Sequence, residues 1–232
     1  MDASYLQNIT RIKVVAKALE PLEQKVVFVG GATIALYTNP AITMELRPTD
    51  DVDVVVEIAT YDGYARLEER LRKIGFVNDQ DAKVVCRYII RGIIVDIMPT
   101  DPAIIGFSNK WYREGFEKAI VHPLTEKDSI YIFPLEYIVA TKLEAFLSRG
   151  KMDFLFSRDF EDLVYLLENA IAVEEKLLGT TGTLNEYLKI TFKNLLAHPD
   201  FEEGLHAHLF PRHAAFQAER IKRTIKTIIH GN

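Results

Sequence analysis

The spacing of apolar side chains divides the sequence into two parts of different character. Before Phe133, short β-branched runs predict strands at Lys25–Val29, Asp51–Ile58, Lys83–Ile90, Ile93–Met98 and Ser129–Phe133. After Phe133, apolar positions recur at three- and four-residue steps, which predicts helices over Pro134–Arg149, Ser157–Asn169, Thr183–Ala197 and Pro211–Ile229. We therefore expect an α/β (α+β) domain over residues 1–133 and a helical domain over residues 134–232. No Gly/Ser-rich linker separates them, so we expect the two domains to share an interface.

Local signals mark the limits of several elements. Apolar positions predict a helix within the first twenty residues. Thr60 is a suitable N-cap for a helix that ends before Gly75. The pair Arg91-Gly92 separates two strand-like runs, as in a two-residue hairpin. Thr183 with Glu186 has the spacing of a capping box.

Composition and charge narrow the class of protein. The 232 residues include 28 Lys+Arg and 33 Asp+Glu, and the resulting net charge of −5 argues against a globally cationic nucleic-acid binder. A single cysteine, Cys86, excludes an internal disulfide and a cysteine-rich zinc site. No apolar run approaches the ~20 residues that span a bilayer, and the first residues lack the pattern of a signal peptide. We expect a cytoplasmic protein with no membrane partner.

The strand that begins Asp51-Val52-Asp53 carries the most informative polar pattern. Because side chains alternate along a strand, the two carboxylates lie on one face, about 6–7 Å apart. Two full charges at that distance repel by roughly 2–3 kcal/mol at an effective dielectric of 20. A divalent cation between the two carboxylates turns this repulsion into a net attraction, and hard oxygen ligands favour Mg²⁺. The alternative is an exposed strand start whose acids only block edge pairing.

Two further features could belong to the same site. The pair Gly30-Gly31 follows a buried strand and would let backbone N–H groups approach a phosphate, although it also suits a simple turn. Asp96 is the sole charge in an apolar strand, where an unpaired carboxylate is costly. It could be a third ligand, or its charge could be satisfied by backbone amides or by an arginine such as Arg47.

The helical half supplies a second group of charges. Lys142 falls within the apolar stripe of its helix, so its amine must reach solvent or meet an anion. A triphosphate is one such anion, and a salt bridge to Asp159 or Asp162 is the alternative. These two acids lie three apart on one flank of the next helix. Asp159 could equally interact with the helix dipole behind a Ser157 cap.

Taken in order, these segments resemble a known motif series. The matching stretches are Val29-Gly30-Gly31-Ala32-Thr33, Arg47-x-Thr49-x-Asp51-x-Asp53, Lys142-x-x-Ala145 and Arg158-Asp159-x-x-Asp162-Leu163. They resemble the AbiEii/AbiGii-type nucleotidyltransferases of the DNA polymerase β-like superfamily, over about residues 25–170. That resemblance implies a nucleotidyltransferase-type mixed sheet with flanking helices, and a C-terminal helical domain that closes the active-site cleft.

The resemblance also implies roles for individual residues. Gly30 and Gly31 would cradle the triphosphate, and Arg47, Thr49 and Lys142 would bind the nucleotide. Asp51, Asp53 and Asp96 would hold Mg²⁺, with Mn²⁺ as the alternative. Asp159 or Asp162 would act as a base or a positioning group.

The expected activity is Mg²⁺-dependent transfer of an NMP from an NTP to an acceptor hydroxyl, with release of pyrophosphate. The chain would serve as the toxin of a toxin–antitoxin or phage-defence system acting on RNA or tRNA, with a cognate antitoxin as partner. One alternative acceptor is a protein, and another is a small molecule such as an antibiotic. A different class of alternative is a catalytically inactive nucleotide-binding or interaction protein.

Overall fold

The computed structural model describes residues 3–39, 46–82, 84–101, 103–106 and 109–231. The chain forms two compact units, one of Met1–Leu36 with Thr43–Pro134 and one of Tyr37–Ile42 with Leu135–Asn232. In the first unit the α-helices are α1 (Ala3–Leu19), α2 (Tyr61–Lys73) and α3 (Tyr112–Glu117). Two 3-10 helices, Glu20–Leu22 and Gly31–Tyr37, follow α1 and β1. Its strands are β1 (Val26–Val29), β2 (Asp51–Val56), β3 (Val77–Asn78), β4 (Arg87–Ile90), β5 (Ile93–Pro99), β6 (Ile120–Pro123) and β7 (Ser129–Ile132).

The second unit is helical. Its helices are α4 (Leu135–Leu147), α5 (Arg158–Asn169), α6 (Val173–Leu178), α7 (Gly182–Ala197), α8 (Phe201–Ala207) and α9 (Ala214–His230). Tyr37 and Thr38 join this unit through the backbone, since Thr38 bridges Ala170 and the Ile171 N–H donates to the Tyr37 carbonyl at 3.0 Å. No helix in the described part of the chain is long and apolar enough to cross a membrane.

The strands of the first unit form one mixed sheet in the order β3-β4-β5-β2-β1-β7-β6. The β1/β7 and β2/β5 pairs are parallel, and the other neighbours are antiparallel. The predicted α/β class, a mixed sheet with flanking helices, is therefore confirmed. Of the central strands, β2 carries Asp51 and Asp53, β5 carries Asp96, and Gly30 directly follows β1.

Apolar burial explains why these central strands form. Val27–Val29 of β1 and Val54–Val56 of β2 are all buried, as a strand covered on both faces requires. Only the first part of β2 is half-exposed, at Asp51 and Asp53. The strand thus enters the sheet through its acidic end and continues into the core through its valines.

Two predicted helix signals have different outcomes. Thr60 caps α2 as expected, because its hydroxyl accepts from the Gly63 N–H at 3.0 Å, and Gly75 has a φ of +96° after the helix. The predicted capping box at Thr183 is wrong, because α7 begins at Gly182 and Thr183 already lies in its first turn.

The sequence pattern also missed short elements. Strands β3 and β6 and helices α6 and α8 were not predicted, and each spans seven residues or fewer. The predicted hairpin at Arg91-Gly92 is present, with β4 beginning at Arg87. The expected strand start at Lys83 lies outside the described residues.

Candidate active site

The acidic end of β2 lies between β1 and β5. Asp53 is in register with Val29 of β1 on one side and with Asp96 of β5 on the other. The sheet therefore brings Asp51, Asp53 and Asp96 to one place, although Asp96 is more than forty residues further along the chain. All three side chains are partly exposed.

Asp96 is held by an arginine on the neighbouring strand. Arg87 Nε donates to Asp96 Oδ1 at 2.8 Å and Arg87 Nη2 donates to Oδ2 at 2.7 Å. The same Nη2 donates to Asp51 Oδ2 at 3.3 Å. Hydrogen bonding to Asp96 raises the pKa of Arg87 further above its ordinary value, so the guanidinium stays charged. The sequence allowed for an arginine that pairs with the Asp96 carboxylate. In the structure this arginine is Arg87 and not Arg47.

Gly30 lies directly against the Asp53 carboxylate. Its φ is +74°, a conformation that glycine adopts without strain. A Cβ at this position would lie 2.8 Å from Asp53 Cβ and 2.5 Å from its Cγ, and closer still to Oδ2. The turn is held by Thr33, whose hydroxyl donates to the Gly30 carbonyl at 2.9 Å. Glycine is thus required here both by conformation and by the carboxylate beside it.

The segment that leads into β2 is fixed by a buried asparagine of α1. Asn8 is 0% exposed, and its Oδ1 accepts from the Thr49 N–H at 3.3 Å and from the Thr49 hydroxyl at 3.0 Å. Its Nδ2 donates to the Arg47 carbonyl at 3.4 Å. The Thr49 hydroxyl is therefore already engaged, and a nucleotide-binding role for Arg47 and Thr49 stays a prediction.

The second unit contains a buried cluster of opposite charges. Lys142 of α4 is 6% exposed, and its Nζ lies 3.1 Å from Asp159 Oδ1 and 2.6 Å from Asp162 Oδ2. Arg149 adds two bonds to Asp159, from Nε at 2.9 Å and from Nη2 at 3.0 Å. The salt-bridge alternative for Lys142 is thus present. Its contact with a nucleotide phosphate stays a prediction, as do the roles of the two acids.

Electrostatics in this cluster favour the charged form of Asp159. Burial alone would raise the pKa of Asp159, but the positive charges of Lys142 and Arg149 outweigh burial and lower it to about 2. Ser157 caps α5, since its hydroxyl accepts from the Phe160 N–H at 3.4 Å. The α5 terminus and two cations therefore all stabilise a negative charge at Asp159.

The oxygen donors of the first unit suit a hard divalent cation, but they are not all directed at one point. Within the described ranges, no group of three or more His, Cys, Asp or Glu side chains is arranged to hold a metal ion. Three carboxylates and the Arg87 guanidinium carry a combined charge of −2, which one divalent cation would neutralise. The donor type and the charge therefore fit one such ion.

Comparison with known proteins agrees with this geometry. Over residues 14–225 the sequence matches the family model described as nucleotidyl transferase AbiEii toxin, type IV toxin–antitoxin system. The chain belongs to the AbiEii family. It is therefore a nucleotidyltransferase by family, as the motif series predicted. A search of curated proteins finds no match.

Two solved structures from Helicobacter pylori show that the AbiEii-family chain shares its fold with distant proteins. JHP933 from Helicobacter pylori is 15% identical, with 99% of this chain and 94% of that chain covered and a TM-score of 0.52. An H. pylori protein provisionally described as a nucleotidyltransferase is also 15% identical, with 99% and 96% covered and a TM-score of 0.53. An antigenic nucleotidyltransferase-like protein from Paracoccidioides brasiliensis is 18% identical, with 88% and 94% covered and a TM-score of 0.49.

The sequence did not predict three residues that hold parts of the candidate site in the AbiEii-family chain. Arg87 bonds Asp96, Asn8 bonds Thr49, and Arg149 bonds Asp159. Arg87 could have been found from the hairpin. Counting outward from the turn at Arg91-Gly92 pairs Ile90 with Ile93 and then Arg87 with Asp96. Asn8 gave no comparable signal, because its partners are about forty residues away in the sequence.

Proposed function

We propose that the chain transfers an NMP from an NTP to an acceptor hydroxyl and releases pyrophosphate. The observation that carries this proposal is the packing of Gly30 against Asp53, beside the Asp51 and Asp96 carboxylates. A turn without a side chain next to acids gives phosphate oxygens access to backbone N–H groups and to a bound cation. Gly30 and Gly31 would bind the triphosphate.

Asp51 and Asp53 would hold Mg²⁺, or Mn²⁺ in its place, with Asp96 as the third carboxylate of the site. When bound, the cation supplies neutralisation of the charge on the phosphate that is transferred. The chain itself supplies positioning, because β2 fixes two carboxylates on one face and the Thr33-braced turn fixes the glycines. Lys142 would contact nucleotide phosphate, and Asp159 or Asp162 would act as base or positioning group.

For the acceptor we propose RNA, with tRNA as the first candidate, and for the biological role a toxin controlled by a cognate antitoxin in the cytoplasm. The AbiEii family description supports the toxin role. The lysine and arginine side chains of α9 are Arg220, Lys222, Arg223 and Lys226. They give limited support for RNA, because Arg220 is paired with Glu168, and Lys222 with Glu202 and Glu219. Transfer to a protein or a small molecule, and a purely nucleotide-binding protein, are the competing functions.

The test is a labelling assay in the presence of Mg²⁺. Each of the four NTPs, carrying ³²P at the α-phosphate, is incubated with the protein and with total RNA or lysate as the source of acceptor. The proposal predicts label in RNA, and no label in RNA from NTPs labelled at the γ-phosphate, because pyrophosphate leaves with that label. Asp53→Asn should abolish transfer. Asp62→Asn is the matched control, since Asp62 is an exposed carboxylate on α2.

The same assay separates the competing functions. Label in protein or in small molecules would replace RNA as the acceptor. Bound NTP with no labelled product under any condition would favour the nucleotide-binding protein. Expression should arrest growth, and Asp53→Asn should relieve the arrest; harmless expression of the active enzyme would contradict the toxin role.

A further inference from the structure

Arg87 already occupies both oxygens of the third carboxylate. A planar guanidinium that makes two parallel bonds to one carboxylate is the strongest form of this pair. Here the pair is built into the sheet, because Arg87 and Asp96 are directly opposite in the β4/β5 register. The Asp96 side chain is only 13% exposed, so water competes weakly for it. In contrast, Asp51 receives a single longer bond from the same arginine.

We propose that this nucleotidyltransferase site binds one divalent cation through Asp51 and Asp53, and that Arg87 is a positioning residue that excludes Asp96 from the ligand set. Arg87 then provides the second positive charge of the site as a fixed part of the protein. This inference rests on the proposed function. In place of three carboxylate ligands, the cation has two, Asp51 and Asp53, and the third carboxylate, Asp96, is bonded to Arg87.

The charges explain why Asp96 cannot easily serve both partners. A cation that took Asp96 as a ligand would have to share an oxygen that Arg87 already bonds, and it would lie directly beside the guanidinium charge. With Arg87 in place, the three carboxylates and one guanidinium leave a charge of −2, which matches one divalent ion. A second ion held by protein alone would make the group positive by two charges.

The experiment counts Mn²⁺ on the folded full-length chain by electron paramagnetic resonance, without nucleotide. We expect one bound Mn²⁺ in the wild type. Asp53→Asn should weaken binding by about tenfold or more, whereas Asp96→Asn should leave the number of bound ions unchanged and weaken binding by clearly less, because it removes one negative charge but no metal ligand. Arg87→Met should free Asp96, so that Mn²⁺ binds about tenfold more tightly or a second ion binds. Arg113→Met is the matched control, because Arg113 pairs with Asp101, which follows the end of β5 that pairs with Val56 rather than with Asp51.

Two bound ions in the wild type would overturn the inference, and so would an Asp96→Asn variant that loses affinity as Asp53→Asn does. Unchanged Mn²⁺ binding in a folded Arg87→Met protein would also overturn it. If Arg87→Met fails to fold, Asp96→Asn and Arg87→Lys replace it in the test. Lysine keeps the positive charge of Arg87 but cannot make the two parallel bonds to Asp96. The count is independent of transfer, so one bound ion without labelled product contradicts only the proposed function.

Discussion

At the scale of single residues, Gly30 offers the sharpest test of the site. Gly30→Ala places a Cβ against the Asp53 carboxylate and also strains a φ of +74°. Gly92→Ala is the matched control, because its φ is +77° and nothing lies within 4 Å of the added Cβ. Each variant should lose about 1–2 kcal/mol of unfolding free energy from backbone strain. Only Gly30→Ala should also weaken Mn²⁺ binding and abolish transfer.

Urea unfolding, Mn²⁺ titration and the ³²P assay together measure these effects. The two variants share the strain, so any difference between them reports the contact with Asp53. Equal Mn²⁺ affinity in Gly30→Ala and Gly92→Ala would show that the glycine does not position that carboxylate.

The same scale shows what the sequence can and cannot supply. Strand alternation is local, so it placed Asp51 and Asp53 on one face without knowledge of any neighbour. Helical periodicity likewise placed Lys142 in a buried stripe. Neither pattern identifies the partner of a charge, and the pairing of Asp96 with Arg87 depended on strand register. The buried bonds of Asn8 depended on how α1 packs against a distant segment.

At the scale of elements, the Asn8 side chain bonds α1 to the segment that leads into β2. Asn8→Ala would leave the Thr49 N–H and hydroxyl without their buried acceptor. We expect it to lower the free energy of unfolding by about 1–3 kcal/mol. Thr10→Ala, on the same helix but exposed, should change stability by no more than about 0.5 kcal/mol. Equal effects of the two variants in urea unfolding would contradict this role of Asn8.

The contact between α4 and α5 depends on a buried amine. Lys142→Met leaves Asp162 buried without the Lys142 ion pair and leaves Asp159 with Arg149. Breaking a buried pair from one side should cost about 3–5 kcal/mol. Lys142→Met/Asp159→Asn/Asp162→Asn removes the three buried charges, leaves only the exposed Arg149 guanidinium, and should be more stable than Lys142→Met. Urea unfolding of both proteins measures this, and a single variant as stable as the wild type would refute it.

This prediction also governs how Lys142 is used in functional tests. Loss of transfer or of growth arrest in a Lys142 variant can follow from unfolding of α4 and α5. Asp53 is the better test of chemistry, because it is partly exposed at a strand start. A Lys142 variant gives information on nucleotide binding only if a urea unfolding experiment shows that the variant is folded under the assay conditions.

Elements differ in how well their sequences predicted them. Helix α2 has a side-chain cap, a regular stripe and a terminal glycine, and all three signals are local. Strand β6 has four residues and leaves Ile120 and Val121 about half exposed, so it shows no alternation of buried and exposed positions. It exists because β7 pairs with it across a hairpin, and the four residues of β6 do not themselves indicate that pairing.

At the scale of the whole molecule, the first forty residues contribute to both units. The chain runs through β1 and then passes Tyr37 and Thr38 to the second unit, where they pair with residues 170 and 171. A composition change along the chain can mark a junction near Phe133. It cannot show that a short earlier segment returns to the helical unit, because such pairing joins residues more than 130 positions apart.

Stability against acid links the Asp159 cluster to the behaviour of the whole chain. The folded pKa of Asp159 is about 2, below the value of about 3.9 expected in the unfolded chain. A lowered folded pKa stabilises the protein above the unfolded pKa, and this stabilisation is lost as the pH falls from about 4 to about 2. Its size is about 2–3 kcal/mol, since a shift of about 1.9 pKa units corresponds to 1.36 kcal/mol per unit.

Urea unfolding of the wild type and of Asp159→Asn at pH 6 and at pH 2.5 tests this. Because asparagine cannot titrate, the variant should lose less stability over that interval, and the two proteins should converge at the lower pH. Asp101→Asn is the control, since Asp101 pairs with an exposed arginine and its removal should leave the acid sensitivity unchanged. A stability difference between the wild type and Asp159→Asn that is the same at both pH values would show that Asp159 is not held charged by Lys142 and Arg149.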